Sequence, residues 1–201
     1  GTQAEGITFS LQDKLGIARK LDDLGIHYVE GGYPYSNPKD ASFFREVRKR
    51  PLRQARLTAF GMTRRKGLTV EKDPGLRALV EAETPTICIV GKSWDLHVRE
   101  VLRVEPEENL AMVRETVAFL KAAGREVVFD AEHFFDGYRE NPDYALASLV
   151  AAQEAGADLL VLCDTNGGSL PEAVRDVTKA VATRVAKPLG IHAHNDGGLA
   201  V

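Results

Sequence analysis

Residues 189–198 read Leu-Gly-Ile-His-Ala-His-Asn-Asp-Gly-Gly, a short apolar run that passes directly into two histidines, an amide, an acid and two glycines. Side chains alternate along a strand with a period of two, so His192 and His194 share one face, their imidazoles adjacent. Working back along the chain, five more short apolar runs have the same character. The expected strands are His27 to Glu30, Leu57 to Phe60, Thr86 to Val90, Glu126 to Asp130, Leu159 to Cys163 and Leu189 to Ala193. Nearly all of them end in chemistry: Glu30, Lys92, Asp130 with Glu132, Asp164 with Thr165, and His192 to Asp196. An open doubly wound sheet gathers its ligand groups at one switch point, whereas a closed parallel barrel draws them from the carboxyl ends of many strands. The distribution favours the barrel, and no GxGxxG follows the earliest strand to support a dinucleotide fold.

Longer amphipathic stretches separate the strands, the pattern of repeated βα units. Pro106 suits the first helical position. Glu107 and Glu108 favour the positive end of that helix, and Leu110, Val113, Val117 and Leu120 form its buried stripe before Gly124 ends it. Pro171 opens another helix, with Val174, Val177, Val181 and Val185 as its stripe, and a first helix runs from about Leu11 to Leu24 and stops at Gly25. No linker or low-complexity tract divides the chain, so one domain is expected over residues 1–201. A complete barrel of this type has eight strands. The expected fold is therefore a TIM-type (β/α)8 barrel present as about six βα units, with one strand before Gly1, another after Val201 and any accessory carboxyl-terminal domains lying outside it.

With 44% hydrophobic and 27% charged residues the chain has the composition of a globular protein rather than a disordered one. A net charge of -3 gives no broad basic field, so neither nucleic acid nor an anionic membrane surface is an expected partner. No apolar run approaches the roughly 20 residues of a membrane span, and no charged-then-apolar leader opens the sequence, so a cytoplasmic protein is expected. Cys88 and Cys163 lie far apart inside apolar runs without CxxC spacing and read as buried core thiols.

Two buried imidazoles side by side resist protonation, and a divalent cation resolves the crowding by using both neutral nitrogens. A hydrogen-bonded core pair is the plainer alternative; a position at a barrel strand end favours the metal. Asp196 beside them either orients an imidazole or caps the next helix. Asp130 and Glu132 share a parity and face the barrel mouth, where a carboxyl group can act as general acid or base or bind substrate, against the alternative of a solvated acidic loop. Thr165 offers a hydroxyl for a substrate carboxylate or for a helix cap, and Arg64 and Arg65 offer a short basic cluster for a phosphate or simply for solvent.

Taken together the motifs resemble the metal-dependent acyl-CoA condensing and cleaving barrels, a family that includes 2-isopropylmalate synthase, homocitrate synthase, citramalate synthase and 3-hydroxy-3-methylglutaryl-CoA lyase. Gly1-Thr2-Gln3 is similar to the tail of the family's opening Arg-Asp-Gly-x-Gln motif, and His192-Ala193-His194-Asn195-Asp196 with Gly198-Leu199-Ala200-Val201 is similar to its HxHND-x-GLAV metal motif. EGGYPYSNPKD, AFGMTRR, GKSWDLHV, FDAEHFFDGY and CDTNGG look most like the citramalate synthase branch. The resemblance implies an acyltransferase that condenses acetyl-CoA with a 2-oxo acid, pyruvate giving citramalate on a route to isoleucine. The nearest variants are 2-isopropylmalate or homocitrate synthesis, and a lyase-type carbon–carbon cleavage on the same barrel.

It further implies His192 and His194 as metal ligands for magnesium, manganese or zinc, and Glu132 as the catalytic glutamate. Thr165, Asp130 and Gln3 are implied at the substrate. A metal-binding Asp and a substrate-binding Arg would precede Gly1, a further Asn ligand would follow Val201, and a catalytic His would come from the partner in a homodimer. On that reading the 201 residues alone bind metal weakly and turn over little.

Overall fold

The computed structural model describes residues 6–201. Six strands, β1 (Tyr28–Glu30), β2 (Arg56–Met62), β3 (Thr86–Lys92), β4 (Glu126–Glu132), β5 (Leu159–Asp164) and β6 (Leu189–Ala193), pair in chain order, each parallel to the next. Parallel neighbours require crossovers, and helices supply them: α1 (Leu11–Asp23), α2 (Pro38–Lys49), α3 (Pro74–Glu81), α4 (Asp95–His97) running into a π-helical turn over Val98–Leu102, α5 (Pro106–Ala122), α6 (Phe134–Glu140), α7 (Pro142–Glu154) and α8 (Pro171–Ala182). Pro38, Pro74, Pro106, Pro142 and Pro171 each open a helix, where the missing N–H costs nothing and the fixed φ is already helical. Gly25 and Gly124, at φ +84° and +74°, end α1 and α5 in the left-handed conformation that favours glycine.

The expected strands are all present. β2 runs on to Met62, and three others continue past the last apolar residue into polar ones, to Lys92, Glu132 and Asp164, because the ladder is held by backbone pairing and does not require an apolar side chain. Lys92 and Glu132 are themselves register partners.

The sheet is curled into half a barrel. Tyr28 of β1 hydrogen-bonds Glu126 of β4 through its phenol at 2.9 Å, and Arg56 of β2 reaches the same carboxylate at 2.6 Å. Flat strands three places apart are separated by about 14 Å, so contacts of this kind belong to a concave face. Alternation then divides the apolar residues into two layers. Phe60, Cys88, Val128, Leu159, Val161 and Cys163 point into the concave face. Ile87, Ile89, Val127, Phe129, Ala131, Leu160 and Leu162 point outward against the helices, with Val113, Val117 and Leu120 of α5 and Leu149 of α7. The α5 stripe is buried as its spacing predicts. In α8 only Val181 is fully buried, with Val174, Val177 and Val185 partly covered.

Gly91, outward on β3, marks the closest approach in this layer. A Cβ built there would lie 2.6 Å from Cε2 of Phe129, a fully buried ring. Gly91→Ala is expected to destabilise the intact protein by about 1–3 kcal/mol through overpacking, and Phe129→Leu in the same background is expected to recover part of that loss. Chemical unfolding measures both. An unaltered midpoint for Gly91→Ala would contradict this account of the packing.

Candidate metal centre

His192 projects from β6 into the concave face, where its Nδ1 lies 3.8 Å from Oδ2 of Asp130 on β4. That spacing is an ion pair rather than a full hydrogen bond. Cys163, the register partner of His192 on β5, lies between them. One ligand atom from each of Asp130, Cys163 and His192 falls within 4.8 Å of the others, the sole such grouping among the described residues. The ring of His194 stands beside that of His192, centroids 5.3 Å apart, just past the end of the strand. The two rings are adjacent, as their shared parity expects, and Asp130 lies on the same face as His192; both histidines are exposed rather than buried, however, because β6 is the open edge of the described sheet. His194 lies outside the close three-residue group. Gln3 lies outside the described residues.

The titratable groups of this face perturb one another. The contact with Asp130 raises His192 above the usual imidazole range; partial loss of water opposes this, and the charges of Asp130 and Glu30 add to it. Glu30 ends β1 on the exposed rim of the open curl, yet its carboxyl is pushed up by lost hydration and by the charge of Asp130, with His192 pulling the other way. Burial, followed by the charges of Asp130 and Glu132, pushes the Cys163 thiol far up. A thiol is also a soft donor, less suited than carboxylate or imidazole to a hard cation. Cys88 is raised in the same way, first by burial and then by Asp130 and Glu30. Both cysteines are buried as the sequence reading expects, but they line the floor of the site, a placement set by strand register and not visible in either apolar run alone. A carboxylate oxygen with two adjacent imidazoles is a donor set that fits magnesium, manganese or zinc.

The neighbouring strand ends form one connected rim. Glu132 ends β4 with its carboxylate in contact with the Lys92 ammonium. Thr165, just beyond β5, does not cap α8, whose capping position is Leu170; its Oγ accepts the backbone N–H of His133 at 2.9 Å. With that lone pair engaged, its hydroxyl proton remains available as a donor. His133 holds φ at +54°, an uncommon conformation for a residue with a side chain. The buried Asp136 carboxylate secures it, facing His133 Nδ1 at 3.3 Å and accepting from Asn166 at 2.8 Å and Arg139 at 3.1 Å. Asp164 turns back to accept from the backbone and hydroxyl of Ser169, which shapes the loop after β5. Gly167, at φ +62°, sits where a Cβ would meet Asp196 Oδ2 at 2.7 Å and the backbone oxygen of His194 at 3.0 Å, so the two loops meet closely here. Asp196 packs against this glycine rather than capping a described helix.

Some features of the rim are not legible in sequence. Trp94, His97 and His133 cluster beside Lys92 and Glu132, with ring centroids 4.6 Å apart for Trp94 and His97 and 4.5 Å for His97 and His133. His97 is held below the usual imidazole range by burial, then by His133 and Lys92, and its Nδ1 is buried without a hydrogen-bond partner. The short helix and π-helical turn that bring His97 here have no clear periodicity to announce them. Arg64 departs from the expected basic cluster. It is buried and bound to Glu115 and Glu108 of α5 at 2.6 and 2.9 Å, so its charge is committed to a helix and not to a ligand. Arg65 lies over the Tyr35 ring, 4.7 Å from its centroid.

A parallel half-barrel whose carboxyl-terminal rim carries two histidines, carboxylates and a free hydroxyl belongs to the class of (β/α)-barrel proteins that build their sites at the strand ends. The chain belongs to the HMGL-like family, which it matches over residues 1–201. It is 56% identical over its whole length to an (R)-citramalate synthase of Aquifex aeolicus, covering 38% of that protein. It is 29% identical to a probable 2-isopropylmalate synthase of Methanosarcina acetivorans, covering 37% of it. Its fold is similar to the crystal structure of hydroxymethylglutaryl-CoA lyase from Pseudomonas aeruginosa, with a TM-score of 0.78 at 20% identity, covering all of this chain and 66% of that one. The chain thus spans well under half the length of the curated relatives it matches. Among the described residues no helix is long and apolar enough to cross a membrane.

The ion pair predicts a measurable titration. The His192 imidazolium is stabilised by the Asp130 carboxylate, so Asp130→Asn in the metal-free intact protein is expected to lower the midpoint of the His192 ring, followed by NMR. A proton competes with a metal for the same nitrogen, so metal affinity falls as pH drops through the raised His192 value. A midpoint that stays put or rises in Asp130→Asn would contradict the pairing.

Proposed function

We propose that the intact protein condenses acetyl-CoA with a 2-oxo acid, and that the acid is pyruvate, so that acetyl-CoA, pyruvate and water give citramalate and free CoA. The reading rests on 56% identity across the whole chain to a protein named (R)-citramalate synthase, against 29% to one named probable 2-isopropylmalate synthase. It is supported by the convergence of His192, Asp130, Glu132 and Thr165 on one rim. Such a reaction serves branched-chain amino-acid synthesis, isoleucine in particular.

In this reading His192 and His194 hold a divalent ion, with Asp130 orienting the His192 ring. When bound, the ion would supply a Lewis acid to the keto oxygen and to the negative charge that develops there. Thr165 donates its hydroxyl proton to the substrate carboxylate, its oxygen being fixed by the His133 N–H. Glu132 is the acid–base group beside the oxo acid, and its half-buried setting keeps it from full exchange with bulk water. Gln3 is assigned to the substrate solely by the resemblance of Gly1-Thr2-Gln3 to the family's opening motif. The remaining ligands and a catalytic histidine come from parts of the protein outside residues 1–201, the histidine from the second subunit of a homodimer. Residues 1–201 are then one partial catalytic domain of a cytoplasmic enzyme.

Thiol release from acetyl-CoA by the intact protein tests the proposal. Turnover is expected with pyruvate, to be far slower with 2-oxoisovalerate and 2-oxoglutarate, and to stop when the metal is chelated. Glu132→Gln is expected to lower kcat about 10²–10⁴-fold. No release with any of the three acids would refute the assignment, and a preference for 2-oxoisovalerate would move it to 2-isopropylmalate synthesis.

A further inference from the structure

The rim carries Glu30, Asp130 and Glu132 on the inward parity of β1 and β4, and a 2-oxo acid would add another carboxylate. Like charges in a site partly shielded from water repel strongly. Something has to offset Glu132 in particular, since the proposed chemistry sets it directly beside the anionic substrate. Among the inward-facing residues of the described strands, two are lysine or arginine: Arg56 and Lys92. Arg56 lies at the amino-terminal end, bound to Glu126. Lys92 ends β3 at the opposite, carboxyl-terminal end, and its ammonium touches Glu132 Oε2.

Lys92 is built in, unlike a lysine at a solvated strand end. Its side chain is 15% exposed and that of Glu132 26%. Its backbone oxygen accepts from Asn109 Nδ2 at 2.9 Å; that fully buried amide, from α5, also donates to the Tyr144 hydroxyl of α7 at 2.8 Å. The next residue, Ser93, is fully buried and hydrogen-bonds the fully buried Ser148 of α7 at 2.9 Å between hydroxyl oxygens. Gly137 of α6 packs so closely that a Cβ there would lie 2.6 Å from the Ser93 carbonyl oxygen. Three helices therefore fix the backbone that aims the Lys92 side chain. His97, held neutral in the same corner, adds no competing positive charge near neutral pH.

We propose that Lys92 is a positioning residue of the condensation: it holds the Glu132 carboxylate on the inward side and cancels its charge, so that an anionic 2-oxo acid can lie against it. The inference rests on the proposed function and deepens it. Its signature is selective, because acetyl-CoA does not place a carboxylate beside Glu132.

The test uses the intact, manganese-loaded protein and its Lys92→Met, Lys92→Arg, Glu132→Gln and Lys92→Met/Glu132→Gln variants. KM is measured separately for pyruvate and acetyl-CoA, and pyruvate binding is measured by calorimetry in the absence of acetyl-CoA. Lys92→Met is expected to raise both KM and Kd for pyruvate at least tenfold while moving the acetyl-CoA KM less than twofold, and Lys92→Arg is expected to restore most of the affinity. The double variant is expected to bind pyruvate about as well as Glu132→Gln alone, since no uncompensated carboxylate remains, while kcat stays low. An unchanged pyruvate Kd in Lys92→Met, an equal shift for both substrates, or a double variant that binds as poorly as Lys92→Met would overturn the proposal. Failure of CoA release with every 2-oxo acid would overturn the function but leave a Lys92-dependent pyruvate Kd standing. No pyruvate binding by the unaltered protein would overturn both.

Discussion

Everything at the rim depends on the two-residue alternation of a curled parallel sheet. Once backbone pairing sets the register, each strand offers alternate residues to the concave face at fixed levels. Cys163 and His192 are register partners, as are Lys92 and Glu132. Curvature then brings strands that are not neighbours into contact: β4 and β6 through Asp130 and His192, β1 and β4 through Tyr28 and Glu126. A slip of one residue in β6 would turn His192 outward and put Ile191 in its place. In β4 and β5 the outward layer opposes such a slip, because Phe129, Leu160 and Leu162 are each fully buried against helices.

The same constraint explains how much could be read from sequence. Strand positions were legible because apolar runs between helical stretches are local signals, and the His192–His194 pair was legible because parity is local too. The inward placement of Asp130 and Glu132 followed from the same counting. Register is a relation between strands, so the Cys163 thiol beside Asp130 and the Lys92 contact with Glu132 were not visible in any single run. The commitment of Arg64 to Glu108 and Glu115 was hidden for a similar reason, since a basic loop gives no sign of which helix passes beneath it. His97 was missed because a three-residue helix followed by a π-helical turn has no period long enough to detect.

Rigidity of the rim comes from polar groups that are themselves buried. Asp136 gathers His133, Asn166 and Arg139, and so holds the left-handed His133 whose N–H fixes Thr165. Asn109 and Ser148 do the same beneath Lys92 and Ser93. Side chains that act on a substrate are effective when a supporting layer leaves them little freedom, and here hydrogen bonds from α5, α6 and α7 supply it. The helices thus do more than cover the sheet, as they also aim the strand ends.

The proposed function requires a divalent ion at the carboxyl-terminal rim of the concave face. Manganese-loaded crystals of the intact protein, with diffraction recorded on either side of the manganese absorption edge, locate that ion directly. The account predicts an anomalous peak within bonding distance of ring nitrogens of both His192 and His194, on the side facing Asp130. A manganese ion bound elsewhere, with the two imidazoles hydrogen-bonded and clear of it, would contradict it.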